Sequence, residues 1–194
     1  MLVLNLKDPV VKRIRATHPS FANTRMLARG TFCAVFETSN PDRVLKLTAD
    51  RSHYAYLTDG LAPEGPHKPL VLENHGYLDD TLSGAPLYLV EVERLRPVTP
   101  RTENSRLTRR IVAYACKDED GQYPTQIDQV KGLSEPLAQF CEDVNCFTSN
   151  FDCITDPRYG NFMERNDGTL VMSDPVFDFK LLRKMERQAA AAYY

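Results

Sequence analysis

Three residues late in the chain carry oxygen atoms at spacings that suit metal chemistry: Asp156, Asn161 and Asp174, inside the stretch DPRYGNFMERNDGTLVMSDPVFD. From Asn161 to Asp174 the sequence reads as two short strands around a tight turn, Asn166-Asp167-Gly168, flanked by apolar residues. A hairpin there sets an Asn just before one strand beside an Asp at the end of the next. Amide and carboxylate oxygens held side by side are ligands for a hard cation, and magnesium takes oxygen ligands. Asp156, on the loop ahead of the hairpin, is left to touch something else.

Two groups upstream suit phosphates. In RGTFCAVF the residues Gly30, Thr31 and Phe32 fall at a hairpin tip, where a glycine lets backbone N–H groups approach a phosphate. Lys46 follows on the next strand, in RVLKL, and an ammonium there binds phosphate oxygens as a point charge. A third stretch, YLVEVERL, ends a strand just before the composition changes. The backbone around Val92, Glu93 and Leu95 is placed to hydrogen-bond an adenine. Each group also has a bland reading: a turn glycine, an amphipathic strand lysine, an edge strand.

The elements that must position these residues follow from the pattern. A leading helix is expected up to His18-Pro19. MLARGTFCAVFET and RVLKLT are β-rich runs around the turn cluster Ser39-Asn40-Pro41-Asp42. RSHYAYLTDGL reads as a helix stopping at Gly60, and LVLENHGYL and APLYLVEVERL as two more strands. After Leu95 comes RLRPVTPRTENSRLTRR, with six arginines and two prolines, which reads as a linker into a helix at Arg106 to Cys116. A polar loop, KDEDGQYPTQ, follows. From Asp128 to Phe147, the residues Val130, Leu133, Leu137, Phe140, Cys141, Val144 and Phe147 recur at helical spacing, an amphipathic helix with one buried face. FKLLRKMERQAAAA closes the chain as a helix. The organisation expected is α+β: a β-rich nucleotide-binding lobe with its leading helix over residues 1–95, and a reduced helical lobe with the catalytic loop over 96–194. Chains of two lobes place a ligand cleft between them.

The bulk numbers exclude several classes. With 194 residues, 42% hydrophobic, 26% charged and a net charge of -2, the chain is globular and carries no bulk basic surface for nucleic acid. No apolar run approaches the roughly 20 residues of a membrane helix, and the N-terminus has no signal-peptide pattern, so a cytoplasmic protein is expected. Cys33, Cys116, Cys141, Cys146 and Cys153 form no CxxC pair, and their odd number argues against a disulfide framework. Cys141 and Cys146 are expected to be structural, in a helix where small buried cysteines are common. The four histidines show no metal spacing, which argues against zinc.

The order and both gaps of Asp156, Asn161 and Asp174 match the catalytic loop and metal-binding Asp of protein kinases, where they serve as base and two magnesium ligands. The chain resembles the early serine/threonine protein kinases of T-seven-type podoviruses, a small divergent branch of the protein-kinase-like fold. The resemblance is carried by RGTFCAVF, RVLKL, HYAYL, ENHGY, NCFTSNFD and, closest of all, GNFMERNDGTLVMSDPV. It spans roughly residues 25 to 178. It implies ATP and Mg2+, phosphorylation of host proteins on Ser or Thr during phage infection, and partners in host transcription or RNA processing. Arg158, two positions after Asp156, stands where kinases often place a lysine that offsets charge on the transferring group.

The chain also departs from the kinase pattern. Ala28 and Cys33 stand at two of the three glycine positions. No Glu follows Lys46 on the next helix, which leaves Asp50, Asp59 or strand-borne Glu73 as its acidic partner. Ile154-Thr155 replace the usual His-Arg, and Pro175-Val176 follow the metal-binding Asp. The stretch FDCITDPRYGN offers two bases: an Asp after a Phe points to Asp152, and the five-residue gap to Asn161 points to Asp156. Two other functions fit the same residues. One is a catalytically inactive kinase-like module that inhibits a host protein by binding; the other is a small-molecule kinase.

Overall fold

A computed structural model describes residues 4–114 and 130–191. The expected polar loop at 117–126, Cys116 and the start expected for the long helix at 128–129 lie outside those residues. The fold is α+β, as the sequence pattern demands, and the chain forms two compact units. A sheet unit holds the chain up to Tyr54, Leu70–Arg94 and the chain from Asp178; a helical unit holds Ala55–Pro69 and Leu95–Phe177. One crossing falls between Arg94 and Leu95. The segment Ala55–Pro69 and the closing helix change sides, for reasons visible in their bonding below. No helix among the described residues is long and apolar enough to cross a membrane.

In the sheet unit, α1 (Pro9–Thr17) starts where Asp8 caps the Val10 N–H and Pro9 presets the first turn, and it ends at extended His18 ahead of Pro19. Five antiparallel strands follow: β1 (Met26–Arg29), β2 (Cys33–Glu37), β3 (Arg43–Thr48), β4 (Val71–Asp80) and β5 (Pro86–Glu93), in the order β1-β2-β3-β5-β4. Alternation along the strands splits the sheet into two faces. Ala34, Phe36, Leu45, Leu47, Leu87 and Leu89 turn to α1 and pack with Val11, Ile14 and Phe21 in one core. Fully burying one such side chain is worth about 1.5–3 kcal/mol, so this face fixes the register of the sheet. Val35, Lys46 and Val90 stand opposite one another and belong to the other face.

After β3, Asp50 accepts the His53 N–H and opens α2 (Arg51–Thr58), along which the chain passes into the helical unit. The last helix, α5 (Phe179–Ala191), returns to the sheet unit. Its first turn is capped by Asp178, whose own N–H donates to Asp50 Oδ2 at 3.1 Å, and Leu181 packs on the core beneath the sheet.

The helical unit contains α3 (Glu103–Tyr114), α4 (Glu135–Phe151), and five short strands: β6 (Arg96–Pro97), β7 (Ile154–Thr155), β8 (Phe162–Glu164), β9 (Leu170–Met172) and β10 (Val176–Phe177). They form a three-stranded sheet, β6-β8-β9, and a pair, β10-β7. Arg96 and Pro97, expected in a linker, therefore form an edge strand against Glu164 and Met163. The long helix begins later than its periodicity suggests. Gly132 takes a left-handed φ of +84°, Ser134 is the N-cap, and Pro136 sits in the first turn, where a missing N–H costs nothing. Leu137, Phe140, Cys141, Val144 and Phe147 form the buried face as expected. Cys146 does not share it: it is exposed, being off the helical stripe that Cys141 occupies.

Candidate functional site

The β8–β9 hairpin is built as its sequence suggests. Phe162 pairs with Met172, Met163 with Val171 and Glu164 with Leu170. Gly168 closes the turn at a φ of +87°, a value that favours glycine, and its N–H donates to the Arg165 carbonyl. Segment 55–69 holds this hairpin, which explains its place in the helical unit. The Tyr56 hydroxyl donates to the Met172 carbonyl at 2.9 Å, and the Met172 N–H donates to the His67 carbonyl at 2.8 Å. His67 Nδ1 lies 2.7 Å from the Leu170 carbonyl, and Arg165 bonds the carbonyls of Pro66 and Lys68.

At the open end of the hairpin the three oxygen-bearing residues come together. The Ser173 N–H donates to the Asn161 carbonyl at 2.8 Å, which sets Asn161 beside the residue preceding Asp174. The Asp156 N–H donates to the Pro175 carbonyl at 2.7 Å, just beyond the β7–β10 pair. Asn161 Nδ2 donates to the Asp156 carbonyl at 2.7 Å. Arg158 Nε lies 2.7 Å from Asp156 Oδ1, and its guanidinium is otherwise largely exposed.

The electrostatics follow from this crowding. Burial pushes the Asp156 carboxyl above its ordinary range; Arg158 pulls it down, the Asp174 charge pushes it up, and a hydrogen bond from Asn161 pulls it down. Burial drives the Tyr56 hydroxyl well above its usual range, and the Asp174 charge adds to that rise. Asp156 and Asp174 are thus two carboxylates close enough to repel. The residues present fit magnesium: with Nδ2 spent on Asp156, the Asn161 amide has its oxygen as ligand atom, and Asp174 supplies the charge.

Asp152 stands elsewhere. It is the exposed left-handed residue, φ 52°, that ends α4, and three residues separate it from Asp156. The remaining candidates belong to the sheet unit, apart from Leu95. Lys46 is buried on β3, with Val92 on the same face. Gly30, Thr31 and Phe32 form the β1–β2 connection. Two backbone N–H groups of these stretches have partners within the fold. Gly30 N–H donates to the Cys33 carbonyl at 2.8 Å, and Glu93 N–H to the Leu70 carbonyl at 3.0 Å. Glu73 pairs directly with Glu91, whose alternation puts it on the α1 face, so it is on the wrong face of the sheet to meet Lys46. Asp59 belongs to the helical unit, where it accepts the Leu61 N–H.

The sequence pattern passed over Glu164. It is buried at 2% exposure and accepts from Thr99 and Asn104, with Arg96 Nε at 3.3 Å. Its signal was present: it lies two residues after buried Phe162, so strand alternation points it inward. Tyr56, the tie between α2 and β9, had a weaker signal, its place in HYAYL.

No protein-family model matches the chain, and no curated protein matches it significantly. Among solved structures it is similar to the aminoglycoside phosphotransferase APH(4)-Ia, with 16% identity and a TM-score of 0.33, covering 81% of this chain and 68% of that one. A thermostable mutant of that enzyme, in ternary complex with AMP-PNP and hygromycin B, gives 16% identity and a TM-score of 0.33, covering 86% and 71%. A likeness at that TM-score carries nothing about this chain's site or substrate.

Proposed function

We propose that the chain catalyses ATP- and Mg2+-dependent phosphoryl transfer to Ser or Thr hydroxyls of host proteins in the host cytoplasm during phage infection. The observation that carries the chemistry is the junction at the open end of the hairpin, where Asp156 and Asn161 are bonded to each other and to the two residues that flank Asp174. The protein target, the setting and partners in transcription or RNA processing rest on the sequence resemblance alone.

In this reading the Asp156 carboxylate accepts the proton of the attacking hydroxyl and orients its oxygen toward the γ-phosphorus. The bond from that phosphorus to the bridging oxygen breaks, and ADP leaves with the electron pair. Asn161 and Asp174 hold magnesium, which when bound neutralises charge on the phosphates. Arg158 stands next to Asp156 and offsets charge on the transferring group. Lys46 binds phosphate oxygens and Val92 lies beside the base. Positioning supplies most of the rate, because this reaction needs little covalent help from the protein.

A second reading, a binding module without catalysis, draws on one observation: the Gly30 and Glu93 N–H groups are engaged within the fold. Incubation with γ-labelled ATP and magnesium separates the two. Label on the chain or on lysate proteins that disappears in Asp174→Ala supports transfer. No label from the wild type, with no shift in melting temperature on adding ATP, refutes it.

A further inference from the structure

Glu73, His75 and Glu91 form a second cluster, in the sheet unit and outside the site above. Each offers one ligand atom, and the three atoms lie within 4.8 Å of one another. The backbone brings them together by an irregularity. The register of β4 on β5 shifts between Val71 and Glu73 and again between Asn74 and Gly76, leaving His75 as the extra residue of a bulge. Gly76 follows with a φ of +76°, which a residue with a Cβ rarely adopts. Bulges of this kind re-aim side chains, and here the result sets His75 beside Glu73 and across from Glu91.

The cluster sets two carboxylates side by side, with a guanidinium on one of them. Glu73 and Glu91 are directly opposed on neighbouring strands, and like charges so placed repel. Arg43 Nη1 donates to Glu91 Oε1 at 3.0 Å and leaves the second oxygen of that carboxylate. His75 Nε2 lies 3.4 Å from Ser20 Oγ. With the imidazole proton on Nε2 and held by Ser20, Nδ1 turns a lone pair toward Glu73 Oε1, 3.6 Å away. That separation is too long for a hydrogen bond. It is close to the edge of a ligand tetrahedron: metal bonds of about 2.1 Å place neighbouring ligand atoms roughly 3.4 Å apart.

We propose that Glu73, His75 and Glu91 bind a divalent transition-metal ion of the zinc type, with solvent completing its coordination. One imidazole nitrogen with two carboxylates suits zinc better than magnesium, which takes oxygen alone. Ser20 is the outer partner that fixes the imidazole tautomer. Exposed Glu73 gives the ion its entry, and the bound ion ties the bulged edge strand β4 to β5. Histidine spacing along the chain gave no such signal because Glu91 arrives from the neighbouring strand.

The test uses the whole chain, stripped with a chelator and titrated with zinc chloride by calorimetry, alongside His75→Ala and Glu73→Gln. Glu73 is exposed, so its substitution leaves the fold in place. The expected result is one equivalent bound by the wild type, affinity at least tenfold weaker in both variants, and a zinc-dependent rise in melting temperature confined to the wild type. Cobalt in place of zinc should give a spectrum of nitrogen and oxygen ligands. No uptake by the wild type, wild-type affinity in either variant, an equal response to magnesium, or a cobalt–thiolate band would each overturn the site.

Discussion

Replacing Glu164 by Gln keeps the side chain's shape and removes its charge, so it isolates what the carboxylate does within the helical unit. Oε1 accepts the Thr99 N–H at 3.2 Å and the Thr99 hydroxyl, with Arg96 Nε at 3.3 Å; Oε2 accepts Asn104 Nδ2 at 3.0 Å. A glutamine retains one of these oxygens. If it stays with Thr99, the new NH2 meets the NH2 of Asn104, donor against donor. If Asn104 turns its amide over, it gives up its 2.7 Å bond to the Gly168 carbonyl in the hairpin turn. Either outcome loses a buried bond to a charged acceptor, about 1.5–3 kcal/mol. Arg96 is about half exposed and adds little. A chain of this size changes its melting temperature by about 2–4 °C per kcal/mol, so a fall of about 3–12 °C is expected at pH 7.

The pH dependence gives the sharper check. Asn104 and then Thr99 hold the Glu164 carboxyl below its ordinary range, against burial, which raises it. A carboxylate with a depressed folded pKa stabilises above its unfolded value, about 4.3, and that contribution disappears as pH falls through the folded value. Wild type and E164Q should therefore differ fully at pH 7 and converge in acid, once the wild-type side chain is itself protonated. Thermal melts at pH 7, 5 and 3 measure this. A gap below about 1 °C at pH 7, or one that persists undiminished in acid, would refute the network as drawn.

Three further outcomes follow from the same geometry. Asp156 is shifted the other way, so its contribution is present below the unfolded pKa and lost as pH rises through the folded one. Asp156→Asn should melt higher than wild type at pH 7, match it near pH 3 and transfer no label; a lower melt at pH 7 would contradict the shift. Gly30→Ala meets only the Cys33 carbonyl, at an ordinary 3.9 Å, so stability should change by less than about 1 kcal/mol while ATP affinity falls; unchanged affinity in a titration would remove that loop from phosphate binding. Tyr56→Phe takes the donor from the Met172 carbonyl inside the core and should cost about 1–3 kcal/mol in urea denaturation; no change would mean the hydroxyl ties nothing.

How much of this was legible depended on whether a feature is local. The β8–β9 hairpin could be read because a left-handed glycine after Asn166-Asp167 and apolar flanks are both short-range signals. The buried face of α4 could be read from spacing, but its start could not: Val130 and Leu133 continue the period while Ser134 and Pro136 set the boundary. A two-residue strand such as β6 has no period to detect. The return of α5 to the sheet unit depends on Asp178 meeting Asp50, far apart in the chain. Glu73, His75 and Glu91 converge through two register shifts, which no single-strand pattern records.

The choice between Asp152 and Asp156 shows what even a very short strand adds to a spacing argument. Alignment to a pattern weighs both, since one follows a phenylalanine and the other keeps the gap to Asn161. The structure uses the intervening residues for definite tasks. Asp152 ends α4 in a left-handed turn, Cys153 is buried, and Ile154 and Thr155 pair with Phe177 and Val176. That register leaves Asp156 as the first residue past the pair, facing Pro175, so its N–H bonds the Pro175 carbonyl, one residue after Asp174. Moving Asp152 into this place would require unwinding the last turn of α4 or slipping β7 by four residues. A slip of four preserves which face each residue occupies but takes Ile154 and Thr155 out of the pair with β10 and puts Asn150 and Phe151 in their place. The strand pair, and not the gap alone, is what brings Asp156 to Asn161 and Asp174.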